Sequence, residues 1–162
     1  SIQLLLEAIK IIPKAQRPKL LIAGDGTSWK KAKGIIESFS QEHQIIYEIK
    51  GSYQKEDLEE LLVDTNVMYA LYDPARGNIN DGALPVKMFD AASLGIPSIV
   101  NSNCLMAEIC ESEKLGISVE WGNSQALSEA LLNQRNTRVK LEKTAHQFRE
   151  VYLSKFHSLL EL

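Results

Sequence analysis

The sequence predicts an α/β fold, a Rossmann-like parallel sheet with helices on both faces. Three observations lead there. Short apolar runs alternate with segments of helical period along the whole chain. Each run ends in Gly, Asp or Asn, as strands that feed a loop do. No internal repeat, low-complexity tract or linker divides the 162 residues, so residues 1–162 read as a single domain.

The elements follow in order. Leu5, Leu6, Ile9 and Ile12 mark one face of a helix that Pro13 ends. Lys19–Ala23 is a buried strand, stopped by Gly24-Asp25-Gly26. Ser28 is placed to cap a helix from Trp29 to Ser40, with Ala32, Ile35, Ile36 and Phe39 inward. Ile45–Ile49 is a second strand, closed by Gly51, and Asp57–Val63 a short helix. Val67–Leu71 is a third strand, followed by a polar loop from Asp73 to Gly82. A helix opened by Pro85 ends at Gly95, and a fourth strand spans Ser98–Val100. Met106–Ser112 is a helix, Gly116–Val119 a fifth strand, and Ser124 opens a helix to Asn133. A final helical region from Asn136 carries the stripe Leu141, Ala145, Phe148, Tyr152 and Phe156. Open parallel sheets bind ligands beyond the carboxyl ends of their strands. That topology gathers Gly24–Gly26, Gly51–Tyr53 and the Asp73–Gly82 loop around one crevice.

Composition excludes several classes. Eighteen basic and twenty-one acidic side chains give a net charge of −3, so no basic surface calls for nucleic acid. Cys104 and Cys110 are too few for a disulfide framework and lack metal-ligand spacing, which suits a reducing compartment. His43, His146 and His157 show no metal spacing and read as surface or packing residues. No metal site and no resident cofactor are expected. No apolar run approaches the ~20 residues of a membrane span, and no signal peptide is visible. The chain begins without Met inside a helical pattern, which reads as a cut within a larger protein.

The most informative stretch is Ala83-Leu84-Pro85-Val86-Lys87-Met88-Phe89-Asp90-Ala91-Ala92-Ser93-Leu94-Gly95-Ile96-Pro97-Ser98-Ile99-Val100. Lys87 and Asp90 lie three apart on one helix face, and spacing alone makes them a solvated ion pair worth ~0.2–0.5 kcal/mol. The stretch resembles the donor-site segment of retaining GT-B glycosyltransferases of the group-1 type. An acidic residue on a helix, small residues, Gly, a variable residue and Pro lead into an apolar strand. The likeness runs nearly the whole chain and implies the C-terminal, donor-binding half of a GT-B fold.

That resemblance implies the site. Asp90 accepts hydrogen bonds from the ribose hydroxyls of a nucleotide-sugar. The helix N-terminus, at Ala83 to Val86 and so including Leu84, takes the diphosphate, Lys87 adds charge, and Asp81 and Gly82 border the same site. Gly24 and Gly26 border the nucleotide; read alone they are a tight turn, since Trp29 stands where a dinucleotide fingerprint needs its third Gly. Gly51 and Tyr53 meet the base, although Tyr53 also reads as a half-buried aromatic at a turn. Glu108 reads as structural. In one place the chain departs from the family: a glutamate expected eight residues before Asp90 is Gly82, with Asp81 adjacent.

The implied activity is transfer of a sugar from a nucleoside-diphosphate sugar to a hydroxyl on a glycan or lipid-linked acceptor. The acceptor binds through an N-terminal domain absent from this chain, as is the strand that opens family donor domains. Residues Tyr152–Leu162 are expected to cover a surface of that other half. The implied compartment is the cytoplasm, with peripheral association of the parent at the inner membrane face where the acceptor is lipid-linked. Two rivals stay open: a nucleotide-sugar epimerase of the same fold, and a non-catalytic binding or regulatory domain.

Overall fold

The structure is a computed structural model and describes residues 2–77, 79, 81–143, 147, 148 and 150. Five strands are seen: β1 (Leu20–Ile22), β2 (Tyr47–Ile49), β3 (Met68–Ala70), β4 (Ser98–Asn101) and β5 (Gly116–Val119). Among the described residues six complete α-helices accompany them: α1 (Ile2–Ile11), α2 (Trp29–His43), α3 (Leu58–Leu62), α4 (Val86–Ser93), α5 (Leu105–Ser112) and α6 (Ser124–Gln134). Every ladder is parallel.

The strands form two ladders, β1-β2 and β3-β4-β5. What joins them is apolar packing. On one face, Leu5, Leu6 and Ile9 of α1 pack with Leu20, Ile36 and Ile45, and Tyr69 of β3 packs against the same group. Ala8 of α1 meets Leu71, Ile99 and Leu127. On the other face, Leu21 and Met68 pack against Leu62, Ala91 and Ile96. Side chains alternate across a strand, and the burial follows: Ile99 of β4 faces α1 and α6, while Val100 faces α4 and α5. The result is a helix–sheet–helix sandwich, as the alternating sequence pattern requires.

Several boundaries differ from expectation. Helix α2 runs on to His43, because Gln44 takes a left-handed turn (φ 57°) and its N–H donates to the Ser40 carbonyl. Ile45 and Ile46 therefore form a corner, and β2 begins at Tyr47. His43 stacks on Phe39 with ring centroids 4.3 Å apart, a packing role. Ser28 makes no side-chain cap for α2. Helix α6 does open at Ser124, and Asn123 caps it, its side chain accepting from the Ala126 N–H. The largest difference lies after α6. Residues 137–143 form neither helix nor strand, while Gln147, Phe148 and Glu150 are helical as expected; the Val139 N–H donates to the Gly95 carbonyl, which ties the strap to the residues after α4. Leu141 and Phe148 do reach the core. Ala145, His146 and Tyr152–Leu162 lie outside the described residues.

Cys104 precedes α5 and Cys110 lies buried within it, both as free thiols. Burial pushes the Cys110 thiol up to about 12, which makes it an inert packing residue.

Gly116 opens β5 at φ +153° directly against Ser98 of β4, and a Cβ placed there would lie 1.9 Å from the Ser98 carbonyl oxygen. No rotamer relieves a backbone clash. Gly116→Ala is expected to destabilise the fold by about 3 kcal/mol or more, read as a shift in the urea midpoint. The Ser98 hydroxyl is buried with no hydrogen-bond partner. Ser98→Ala is therefore expected to leave stability unchanged or raise it by about 1 kcal/mol in the same assay.

Candidate functional site

Two groups of residues form at the carboxyl ends of the strands. The first joins β1 to β2. The Gly24 N–H donates to the Gly51 carbonyl at 3.0 Å, so the turns after both strands meet. Gly24 has φ +120°, and a Cβ there would meet nothing within 4 Å. Its glycine serves the backbone conformation and leaves open space above the turn. The Gly26 carbonyl accepts from the Trp29 N–H and opens α2. Gly51 also faces open space, and the Tyr53 ring is exposed. Both match a wall that a planar ligand could meet.

The second group surrounds the start of α4. Asp73 accepts from the Ala75 N–H and begins a short turn over Pro74–Arg76. The chain then folds back through Gly77 (φ +79°) and Gly82 (φ +82°), with Asp81 N–H donating to the Gly77 carbonyl. Pro85 stands before α4 and caps nothing with its side chain. Val86 and Lys87 present first-turn N–H groups that have no carbonyl within the helix. Leu84 packs onto the core and fixes the approach to the helix. The loop and the helix start thus give backbone donors and a positive dipole end to an anion.

Lys87 behaves differently from the spacing argument. Among the described residues it forms no ion pair, with Asp90 or any other carboxylate. Its Nζ lies 4.7 Å from the centroid of the Tyr72 ring. Burial pulls its ammonium down from the ordinary lysine range to about 8. A half-buried cation without a counter-ion is costly in the empty site and ready for an anion. Asp90 is half-buried on the same helix, and its carbonyl accepts from the Ser93 hydroxyl.

Two contributors escaped the sequence reading. Asn101, the last residue of β4, is buried. Its side chain accepts from the Tyr72 N–H at 2.7 Å and donates to the Tyr72 carbonyl at 2.8 Å. Tyr72 itself lies two residues past β3. The available signals were an Asn ending an apolar strand and an aromatic where a strand passes into its loop.

Gly82 occupies the place of the expected family glutamate. Its left-handed backbone disfavours any side chain, and a Cβ would touch Leu105 Cδ2 at 3.4 Å. Asp81 is exposed on the loop beside it. Glu108, in the first turn of α5, is exposed. Among the described residues no cluster of His, Cys, Asp or Glu could hold a metal ion, and no helix is long and apolar enough to cross a membrane.

A parallel sheet with loops gathered at its carboxyl ends is a frequent frame for ligand-binding enzymes. Residues 1–149 match the family described as glycosyl transferases group 1, and the chain belongs to that family. No curated protein matches the sequence. Among solved structures, the fold is similar to the catalytic domain of cholesterol-alpha-glucosyltransferase from Helicobacter pylori. The TM-score is 0.57 at 20% identity, over 82% of this chain and 76% of that one.

Two outcomes follow from this geometry. Gly82→Glu, which restores the family residue, is expected to cost about 1–2 kcal/mol through the left-handed backbone, measured by urea denaturation. Lys87→Met is expected to be more stable than the parent at pH 7 by roughly 1–3 kcal/mol. The sign follows from linkage. The folded amine titrates near 8 and the unfolded one at 10.5, so between those values the unfolded chain binds more protons and parent stability rises with pH. The advantage of Lys87→Met should shrink from pH 8 to 10.5.

Proposed function

We propose that the chain is the donor-binding half of a retaining GT-B glycosyltransferase, binding a nucleoside-diphosphate sugar at the start of α4. The carrying observation is Lys87, in the first turn of an eight-residue helix: a half-buried ammonium with no ion-pair partner among the described residues. Family membership over residues 1–149 supports the same reading. Asp90 binds the ribose hydroxyls, one turn further along the helix. Gly24, Gly26, Gly51 and Tyr53 border the nucleoside, while Gly82 and Ala83 approach the diphosphate. The sugar passes to a hydroxyl of a glycan or lipid-linked acceptor held by a second domain, in a parent protein working in the cytoplasm or at the inner membrane face.

The chemistry asked of this half is electrostatic. As the bond between the sugar and the diphosphate breaks, charge builds on the leaving phosphate oxygens. Fixed N–H donors and an ammonium already in place stabilise that charge without reorganising. The scheme uses no metal. Without the acceptor domain, the chain itself is expected to bind donor and turn nothing over. Occupancy of the site by an anion also stabilises protonated Lys87, so affinity is expected to fall as pH rises through about 8.

Calorimetric titration with UDP, GDP and ADP tests the reading. One of the three should bind, and Asp90→Ala should weaken it by about 1.4 kcal/mol or more, a tenfold loss. Well-folded protein that binds none of them would overturn it.

A further inference from the structure

We propose that Tyr72 and Asn101 are positioning residues for Lys87, holding its ammonium at the start of α4 and clear of Asp90. The inference rests on the donor-binding reading of that helix and extends it to two residues outside the binding groups named above.

Three observations carry it. The first is the contact itself: Lys87 Nζ sits 4.7 Å from the Tyr72 ring centroid, and Lys87 makes no ion pair with the carboxylate one turn away. A lysine stem is flexible, and without a fixed surface beside it the ammonium would swing into solvent or onto Asp90. The electron-rich ring face gives it one place to rest.

The second is the anchoring of Tyr72. The last rung between β3 and β4 joins Ala70 to Val100. Beyond it the backbone is free to diverge, yet Tyr72 is held at both its N–H and its carbonyl by one carboxamide. Asn101 is only 2% exposed, so its two bonds are shielded from water and geometrically fixed. The side chain thus substitutes for a further rung of the ladder, and the place where β3 becomes a loop is set by β4.

The third is the packing of the ring. Tyr72 lies against the core group that contains Met88 and Phe89 of α4. The residue is therefore held against a core group to which the helix carrying Lys87 also contributes. Backbone clamp and core together fix the face on which the ammonium rests. A cation already placed loses less conformational freedom when an anion arrives, so the device acts on ligand affinity.

The test uses two readouts. The first is the upfield ring-current shift of the Lys87 ε-methylene protons, assigned by its disappearance in Lys87→Met. The second is affinity for whichever of UDP, GDP or ADP the parent binds. Tyr72→Phe keeps the ring and should keep both. Tyr72→Leu should lose the upfield shift and weaken the nucleotide about three- to tenfold, with an unchanged circular dichroism spectrum. Asn101→Ala should do the same; should it fail to fold, Tyr72→Leu, which leaves the clamp intact, still decides. A parent that lacks the shift, or a Tyr72→Leu protein that keeps both shift and affinity, would sink the proposal. If the parent shows the shift and binds no nucleoside diphosphate, the contact stands, while its positioning role falls together with the donor reading. If Tyr72→Leu binds the nucleotide as tightly as the parent, the donor reading survives and the positioning role does not.

Discussion

Strand β4 is the constraint on which the rest depends. All four of its residues are buried, and it is bonded to a parallel neighbour on each side. Its inner faces touch two different core groups, through Ile99 toward α1 and α6 and through Val100 toward α4 and α5. Its first residue sits against the glycine that opens β5, where only a hydrogen fits. Its last residue reaches sideways to hold the loop after β3. One short strand thereby sets the spacing of the sheet and the height at which the candidate site begins.

The start of α4 illustrates how a stable core can carry an unfavourable charge. Among the described residues no carboxylate pairs with Lys87, and the ring beneath it recovers only part of the hydration it loses. Such a group lowers stability in the empty state and gains most when an anion arrives. The neighbouring Asp90 would have been the cheaper partner on an isolated helix. Packing of Tyr72 into the core keeps the two apart. Gly82 adds a second restriction, since the turn that delivers the chain to α4 takes a left-handed backbone there, which disfavours the glutamate that the resemblance implied. The turn geometry and the acidic group compete for one position, and in this chain the turn has won.

The helices and strands were legible because burial of one face imposes a period on the sequence. Leu5, Leu6, Ile9, Ile12 and Ile36 are core residues in the structure as in the pattern. The segment after α6 misled for the same reason. Leu141 and Phe148 are spaced for a helix face, yet the irregular strap over residues 137–143 satisfies Leu141 equally well once Val139 bonds to Gly95. A spacing rule cannot tell a helix from an irregular strap when the partner that holds the strap lies more than forty residues earlier. At the site, Gly24 and Gly51 could be placed from their positions after β1 and β2, because strand ends fix where loops begin. The pairing of Lys87 with Tyr72 could not, because it joins different elements through a third.

By itself, the sequence determined the class of fold, the order of its elements, the loops that gather at the carboxyl ends, and the family to which the chain belongs. These rest on local periodicity and on a contiguous motif, both of which survive in one dimension. The tertiary structure alone decided which partner Lys87 takes, why position 82 is glycine, and how the sheet divides into two ladders bridged by α1. Each of those depends on groups far apart in the chain meeting at a fixed distance. That distance is set by the packing of the core, and no single stretch of sequence carries it.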